Sequence, residues 1–503
     1  MTKIYDAVII GSGPTGGLAA KLLSEAGLET RVVEAGPGMM EARALTTYHA
    51  AKRRLGYRIE EDPAAVRRQR VQSSCYAWVH DPHAFVDDID NPCTIAQGKP
   101  FKWLRCRRTG GRMTVRKHGL QFYRLSDLDF KAGQRDGASD TWPISLCDLA
   151  PYYESVERWM RLSGTLEALP QLPDSVLADQ AVPGPGLQRL ASAVARTWKD
   201  RRAIPCRTAT PPIPIRDALA TGRCTLHSNA VVTQVLTDPR TGLASGVRYV
   251  GRWSHREREI RTRAVVLCAS SIESARLLLA SATPQHPAGL ANSSGLVGRY
   301  LMDHVHLGGI NADMPLARSD QRPATWGYIP QFRNVGTTDR EFVRGYGLQL
   351  FFERDQSAFT AFGEMLPHRD NRVSLDPDVK DKWGVPAARI SCAIGDNERA
   401  LMRDAANEAC AIMTAAGFKS WKLNTDISTP GLASHEVGTA RMSADPRTGV
   451  LNPFCQSWDV KNLFVMDGSC FVTQGVQNPT LTLLALAARS CHYLLESMRR
   501  REL

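Results

Sequence analysis

Two residues near the end of the chain have the types needed to take a proton from an alcohol and hold the oxygen left behind. His435 opens "HEVGTARMSADP", and Asn478 stands before Pro479 in "GVQNPTLTLL". A neutral imidazole is suited to act as a base near pH 7, and a carboxamide can donate to the same oxygen and fix its orientation. Each has a plainer reading. A lone histidine is more often structural, and Asn-Pro reads as a helix N-cap with proline at the first helical position. The two readings of Asn478 are compatible. A helix starting at Pro479 and Thr480 would aim its positive end at whatever lies beside Asn478.

A second constellation lies at the other end of the chain. Gly11, Gly13 and Gly16 form GxGxxG in "AVIIGSGPTGGLAAKLL". The first glycine makes a tight turn, the second admits a pyrophosphate, and the third lets helix and strand approach. Phosphate then sits on a helix N-terminus, with Pro14 and Thr15 in the turn. Glu34, followed by Ala35, ends the next apolar run, where an acid accepts from ribose hydroxyls and disfavours a 2′-phosphate. FAD or NAD fits better than NADP.

The elements around these residues follow from periodicity. "AVII", the helix "LAAKLLSEAG" and "TRVVEAG" make a βαβ unit. Strand, small-residue turn and helix recur in "AVVLCASSIESARLLLAS" (264–281) and in "NLFVMDGS" with the C-terminal helix. Residues 46–100 read as turn-rich without steady periodicity. "GYGLQLFFE" and "RVSLDPD", within 320–395, alternate like antiparallel strands, and 397–418 predicts a long amphipathic helix ending at Gly417. The pattern predicts an α/β fold: a discontinuous Rossmann-like nucleotide domain with an inserted α+β domain built on an antiparallel sheet.

At 503 residues, 43% apolar and 23% charged, the chain has the composition of a globular protein of more than one domain. Its net charge of +12 is spread over arginine-rich clusters without an aromatic-interleaved nucleic-acid module, so solvated faces are the expectation. No apolar run is long enough to span a membrane and no leader pattern opens the chain. The twelve cysteines form no CxxC, which suits a cytoplasmic location and predicts no metal site.

In order along nearly the whole length, "IIGSGPTGG…VVEAG", "GKPFKWLRCRRTGGR", "AVVLCASSIESARLLLAS", "NSSGLVGRYLMDH", "HEVGTARMSADP" and "NLFVMDGSCFVTQGVQNPTLTLLALAAR" resemble the glucose–methanol–choline (GMC) family of flavin oxidoreductases. The middle of the chain is most similar to the glucoside 3-dehydrogenase branch, which is related to the pyranose oxidases. The resemblance implies FAD, with Gly110 and Gly111 along the isoalloxazine, Val231 at the adenine, Asp467 and Gly468 at the ribityl–pyrophosphate stretch, and His435 and Asn478 as the catalytic pair. It implies 1–134, 211–310 and 431–503 as parts of the FAD domain, with 135–210 and 311–430 forming the substrate domain.

Two departures from the family shape the reading. The loop after Gly111 has Thr114 and Val115 where pyranose oxidases carry a flavin-linking histidine, and His118 comes late, so non-covalent FAD is expected. Only Cys206 and Cys224 stand where cluster-containing relatives carry a tight cysteine group, so no iron–sulfur relay is expected. The implied activity is oxidation of a secondary alcohol of a sugar or glycoside, at C3, to a ketone by hydride transfer to flavin N5. The alternatives are a tailoring oxidase acting on a sugar or cyclitol moiety of a natural product, and a non-catalytic flavin-binding partner subunit. The acceptor (oxygen, a quinone or a carrier protein) and the oligomeric state stay open.

Overall fold

The computed structural model describes residues 3–115, 120–210, 212–313, 326–336, 341–352 and 357–503. The chain opens with β1 (Ile4–Ile10), α1 (Pro14–Glu25) and β2 (Thr30–Val33). Ala7, Val8 and Ile9 are fully buried, as a parallel strand covered on both faces requires. β1 pairs with β2 from Ala7↔Thr30 to Ile10↔Val33, and on its other side with the strand Glu257–Leu267.

That long strand changes partner along its length. Its first half alternates exposed and buried residues and pairs antiparallel with Ala244–Gly251. Its last residues, Val265 to Leu267, are buried throughout and pair in parallel with Leu463–Val465. The C-terminal segment thereby completes a seven-stranded sheet begun at the N-terminus.

A second sheet has six strands, in the order Lys419–Ile427, Val305–Asp313, Ser357–Gly363, Tyr346–Phe352, Trp326–Ile329 and Ile204–Pro205. All its pairings are antiparallel. The helix Asp396–Ala415 packs on this sheet through residues that include Leu401, Met402 and Ile412, and Gly417 at φ +73° ends the turn that follows. This is the α/β architecture with an inserted antiparallel sheet that the periodicity predicts.

One element differs from the sequence reading. α2 (Met39–Arg54) runs into the segment read as turn-rich. Only Ala42 and His49 of the helix are buried, and its exposed positions include Met40 and Tyr48, with exposed Leu55 as its C-cap. Apolar and polar residues therefore do not separate by face, and the period of 3.6 that marks a helix is lost. Among the described residues no helix is long and apolar enough to cross a membrane.

Candidate active site

The glycine turn is shaped by close approach. Gly11 has φ +93°, and a Cβ there would lie 2.5 Å from the Cys268 carbonyl oxygen; one on Gly16 would lie 2.0 Å from that of Gly11. A side chain at Gly16 would drive α1 off the turn, and one at Gly11 would push the turn away from Cys268. A Cβ on Gly13 would meet nothing within 4 Å. This is the open face where a phosphate reaches the helix N-terminus.

Both oxygens of the buried Glu34 carboxylate already hold the turn. Oε2 accepts from the Ser12 amide at 3.0 Å and the Ser12 hydroxyl at 2.6 Å, and Oε1 accepts from the Gly36 amide at 2.8 Å. Oε1, with one bond made, keeps lone-pair capacity for a ribose hydroxyl. Glu34→Ala is expected to weaken FAD binding by more than the lost ribose contacts, about 1.5–3 kcal/mol for charge-assisted bonds, because it also orphans the Ser12 donors. Glu34→Gln should fall between Ala and wild type. Titration of apoprotein with FAD measures the order, and equal affinities for all three would remove Glu34 from the site.

A cavity of about 1170 Å³ runs from this turn to the far end of the chain. Gly11, Gly13, Pro14, Thr15, Glu34, Ala35, Gly111, Val231, Asp467, Gly468, Asn478, Pro479 and Thr480 line it, as does His435. Gly16 and Gly110 do not. Gly16 packs the turn, and the Gly110 amide donates to the Ser12 hydroxyl at 3.2 Å. Burial raises the Asp467 carboxyl above its ordinary range. It accepts from the Ser274 hydroxyl at 2.5 Å and the Ser469 amide at 3.0 Å. The cradle, the occupied acid and the length of the cavity fit FAD. His118 lies outside the described residues, while Thr114 is held by the Gly111 carbonyl at 2.8 Å and Val115 is buried.

At the other end of the cavity His435 is gripped from several elements. Its amide donates to Asp303 Oδ1 at 2.8 Å, and its carbonyl accepts from Gln474 Nε2 at 3.0 Å. Asp303 Oδ2 accepts from the Gly431 amide at 2.7 Å, tying down the loop before the histidine. Arg112 donates to the Ser434 carbonyl, to the Leu104 carbonyl at 2.7 Å, and to Glu436 Oε2 at 3.2 Å. Burial and the nearby Glu436 carboxylate push Asp303 up to about 7.

The imidazole is held as firmly. His435 Nδ1 lies 2.9 Å from His304 Nδ1, and His304 Nε2 lies 2.9 Å from the Gly475 carbonyl oxygen. A carbonyl only accepts, so His304 Nε2 carries its proton and Nδ1 is bare. His435 Nδ1 must then donate, which leaves His435 Nε2 as the lone pair facing the cavity. Asn478 Nδ2 sits 3.3 Å from that lone pair. A substrate hydroxyl placed between them would donate to the imidazole and accept from the amide.

Burial pushes His304 down to about 4, against about 6.5 for an unfolded histidine. A base depressed on folding contributes stability above its unfolded pKa, and that stability is lost as pH falls toward the folded value. Relative to His304→Leu, the wild type should therefore lose about 1.4 kcal/mol per pH unit between roughly pH 6 and 4.5. Urea midpoints of both proteins across that range measure the slope; parallel curves would mean that His304 is charged in the fold.

Sequence reasoning misassigns one role and misses others. The last helix begins at Thr480 with Pro479 at its N-cap, and no side chain caps it. Asn478 spends its amide on His435 and on Gln349, whose Nε2 donates to Asn478 Oδ1 at 3.1 Å. Tertiary donors take the group that local rules assign to a cap. Missed residues include Ser12, Gln121 and Gln349, of which Gln349 lies in the alternating run "GYGLQLFFE" without a mark of its own. Among the described residues no cluster of His, Cys, Asp or Glu is placed to hold a metal ion.

Comparison with known proteins accords with this geometry. Residues 207–306 and 367–487 match models described as GMC oxidoreductase, and 4–49 match an FAD binding domain. A 2-methyl-1,2-propanediol dehydrogenase from Mycolicibacterium austroafricanum is 30% identical over 97% of this chain and 95% of its own. The chain belongs to the GMC oxidoreductase family. A C-glycoside 3-oxidase from Arthrobacter globiformis is 27% identical over 54% of this chain and 53% of its own. The fold is also that of a crystal structure titled pyridoxine 4-oxidase from Mesorbium loti, with a TM-score of 0.67 and 18% identity over 98% and 99% of the two chains. This GMC protein is thus an FAD-dependent oxidoreductase of alcohols.

Proposed function

We propose that the chain oxidises a secondary ring alcohol of a neutral sugar or glycoside, at C3, to the ketone. The observation that supports this is the face of the six-stranded sheet that lines the cavity beside His435. Cross-strand register puts Trp326, Phe351 and Ala358 in one row. Gln349 and Thr360 form the next row, and Phe362 and His306 a third. All seven residues line the cavity, and none carries a carboxylate or a fixed positive charge. Aromatic faces covering C–H groups, with amide and hydroxyl groups between them, suit a ring bearing neutral hydroxyls. A polycationic aminosugar would find no counter-charge among these seven residues.

His435 Nε2 takes the hydroxyl proton, while Asn478 Nδ2 donates to the oxygen and stabilises the charge that develops there. His304 keeps the base in the tautomer whose lone pair faces the substrate. Glu34, the glycine turn, Asp467 and Gly468 would hold FAD, and the Thr480 helix N-terminus faces the same cavity. When bound, FAD supplies the hydride acceptor.

Anaerobic mixing with methyl glucosides, a C-glycoside, 2-methyl-1,2-propanediol and an aminosugar tests the reading by bleaching of flavin absorbance, with NMR of the product to locate the carbonyl. Fastest bleaching by a neutral glycoside with a 3-keto product is expected. Preference for the diol would make a small branched alcohol the substrate instead. We also expect the flavin to be held non-covalently, so acid precipitation should leave the yellow colour in the supernatant. Colour on the precipitated polypeptide would overturn that part.

A further inference from the structure

Asn478 does not stand alone in the cavity. Its Oδ1 accepts from Gln349 Nε2, Gln349 Oε1 accepts from Gln121 Nε2 at 3.1 Å, and Gln121 Oε1 accepts from the Tyr123 hydroxyl at 3.1 Å. Gln121 and Gln349 are about 5% exposed and Tyr123 is fully buried, stacked on Tyr328 with ring centroids 4.6 Å apart. With His435 and His304 these groups form one hydrogen-bonded chain that ends on the Gly475 carbonyl.

The direction of the whole chain is set at that end. The carbonyl forces a donor at His304 Nε2, hence an acceptor at His304 Nδ1, a donor at His435 Nδ1 and a bare His435 Nε2. The bare nitrogen requires the NH₂ of Asn478 rather than its oxygen. The oxygen then requires the NH₂ of Gln349, whose own oxygen requires the NH₂ of Gln121, leaving Gln121 Oε1 for the Tyr123 hydroxyl. Each carboxamide could be turned over in space, but turning one puts oxygen against oxygen or against a lone pair.

We propose that Gln349, backed by Gln121 and Tyr123, is a positioning residue that fixes which way round the Asn478 carboxamide faces the substrate oxygen. The inference rests on the roles given above to His435 and Asn478 and goes beyond them. The amide that must donate to a developing alkoxide is held in its donating orientation from behind, by a relay that touches neither the alkoxide nor the base.

Charge-neutral and charge-introducing substitutions separate this from simple space filling. Gln349→Glu offers Asn478 only an acceptor, so the amide turns over and presents oxygen to His435 Nε2 and to the substrate. Flavin reduction should fall roughly 10²–10³-fold, whereas Gln349→Met, which leaves the bare imidazole nitrogen to orient the amide, should lose about 10-fold or less. Gln121→Glu acts one link further back. It captures the Gln349 NH₂, turns that amide over and passes the reversal to Asn478, so it should approach Gln349→Glu while Gln121→Met stays near wild type.

A direct field effect of the new carboxylate is separated by a double-mutant cycle. On an Asn478→Ala background, Gln349→Glu should cost less than about 3-fold further, because the group through which it acts is gone. A readout independent of turnover comes from ¹⁵N-histidine NMR. His435 should show a proton on Nδ1 and a bare Nε2 in the wild type and Gln349→Met, and should keep a proton on Nε2 to higher pH in Gln349→Glu. The other titratable or charged neighbours of the base, His304, His306, Asp303, Glu436 and Arg112, are the same in every variant.

Equal losses in Gln349→Glu and Gln349→Met, an undiminished effect on the Asn478→Ala background, or a Gln121→Glu indistinguishable from Gln121→Met would overturn the proposal. An unchanged rate in His435→Ala would instead remove the base assignment on which it stands.

Discussion

His435→Ala is expected to retain FAD and to lose roughly 10²–10⁴-fold in the rate of flavin reduction, the range for removing a positioned base. The expectation of retained FAD follows from where the grips lie. The amide of residue 435 donates to Asp303 and its carbonyl accepts from Gln474, so the loop is held through its main chain. Removing the imidazole leaves His304 Nδ1 without its donor but disturbs no residue of the glycine cradle. Stopped-flow reduction under anaerobic conditions gives the rate, and the absorbance ratio of flavin to protein gives occupancy. In the wild type one group should titrate in the histidine range in this half-reaction, and the variant should lack it. A variant as fast as the wild type would make His304, the other imidazole of the dyad, the candidate base.

Asn478→Asp is expected to be nearly as damaging for a different reason. Gln349 can still donate to a carboxylate at this position, so the side chain should stay in place. Its other oxygen would then face the His435 lone pair, where it favours an imidazolium that cannot accept a proton. It would also put negative charge where the substrate oxygen and the reduced cofactor gain theirs. Reduction should slow by about 10²-fold or more, and the flavin midpoint potential should fall. Stability should change little in Asn478→Asp, where Gln349 keeps its acceptor; Asn478→Ala loses no capping bond but orphans the buried Gln349 donor, at about 1–3 kcal/mol. Thermal melts and a potentiometric titration separate the two effects. An unchanged potential together with an unchanged rate would mean that residue 478 does not face the reacting centre.

The parts of this site legible in the sequence are those where local chain geometry and chemistry coincide. Gly11 and Gly16 are forced by a strand turning sharply into a helix, Gly13 leaves the face open for a phosphate, and Glu34 stands at the end of the next strand. That coincidence leaves a motif of fixed spacing. His435 and Asn478 could be paired only through resemblance to a family, since nothing local says that they meet. Gln349 was illegible for a physical reason. Alternation in a strand tells which face a residue takes but not what lies over that face, and a glutamine under a buried chamber looks like one under water. Gln121 has the same ambiguity. The N-cap reading of Asn478 failed because capping rules rank local partners only, and here Gln349 and His435 outbid the backbone of the helix that follows.

The long strand that changes partner at Val265 also bears on how this protein is made. Until Leu463–Val465 has left the ribosome, only one side of Val265–Leu267 is paired, with β1, and the other side is open; an open edge of that kind invites wrong partners. Asp467, Asn478 and the helix beginning at Thr480 arrive with the same last stretch. A nascent chain thus carries its glycine turn long before it owns the other wall of the cavity. Cofactor capture is then an event of the finished polypeptide, and recombinant yield should respond to flavin supply and chaperone capacity after release rather than to the speed of elongation.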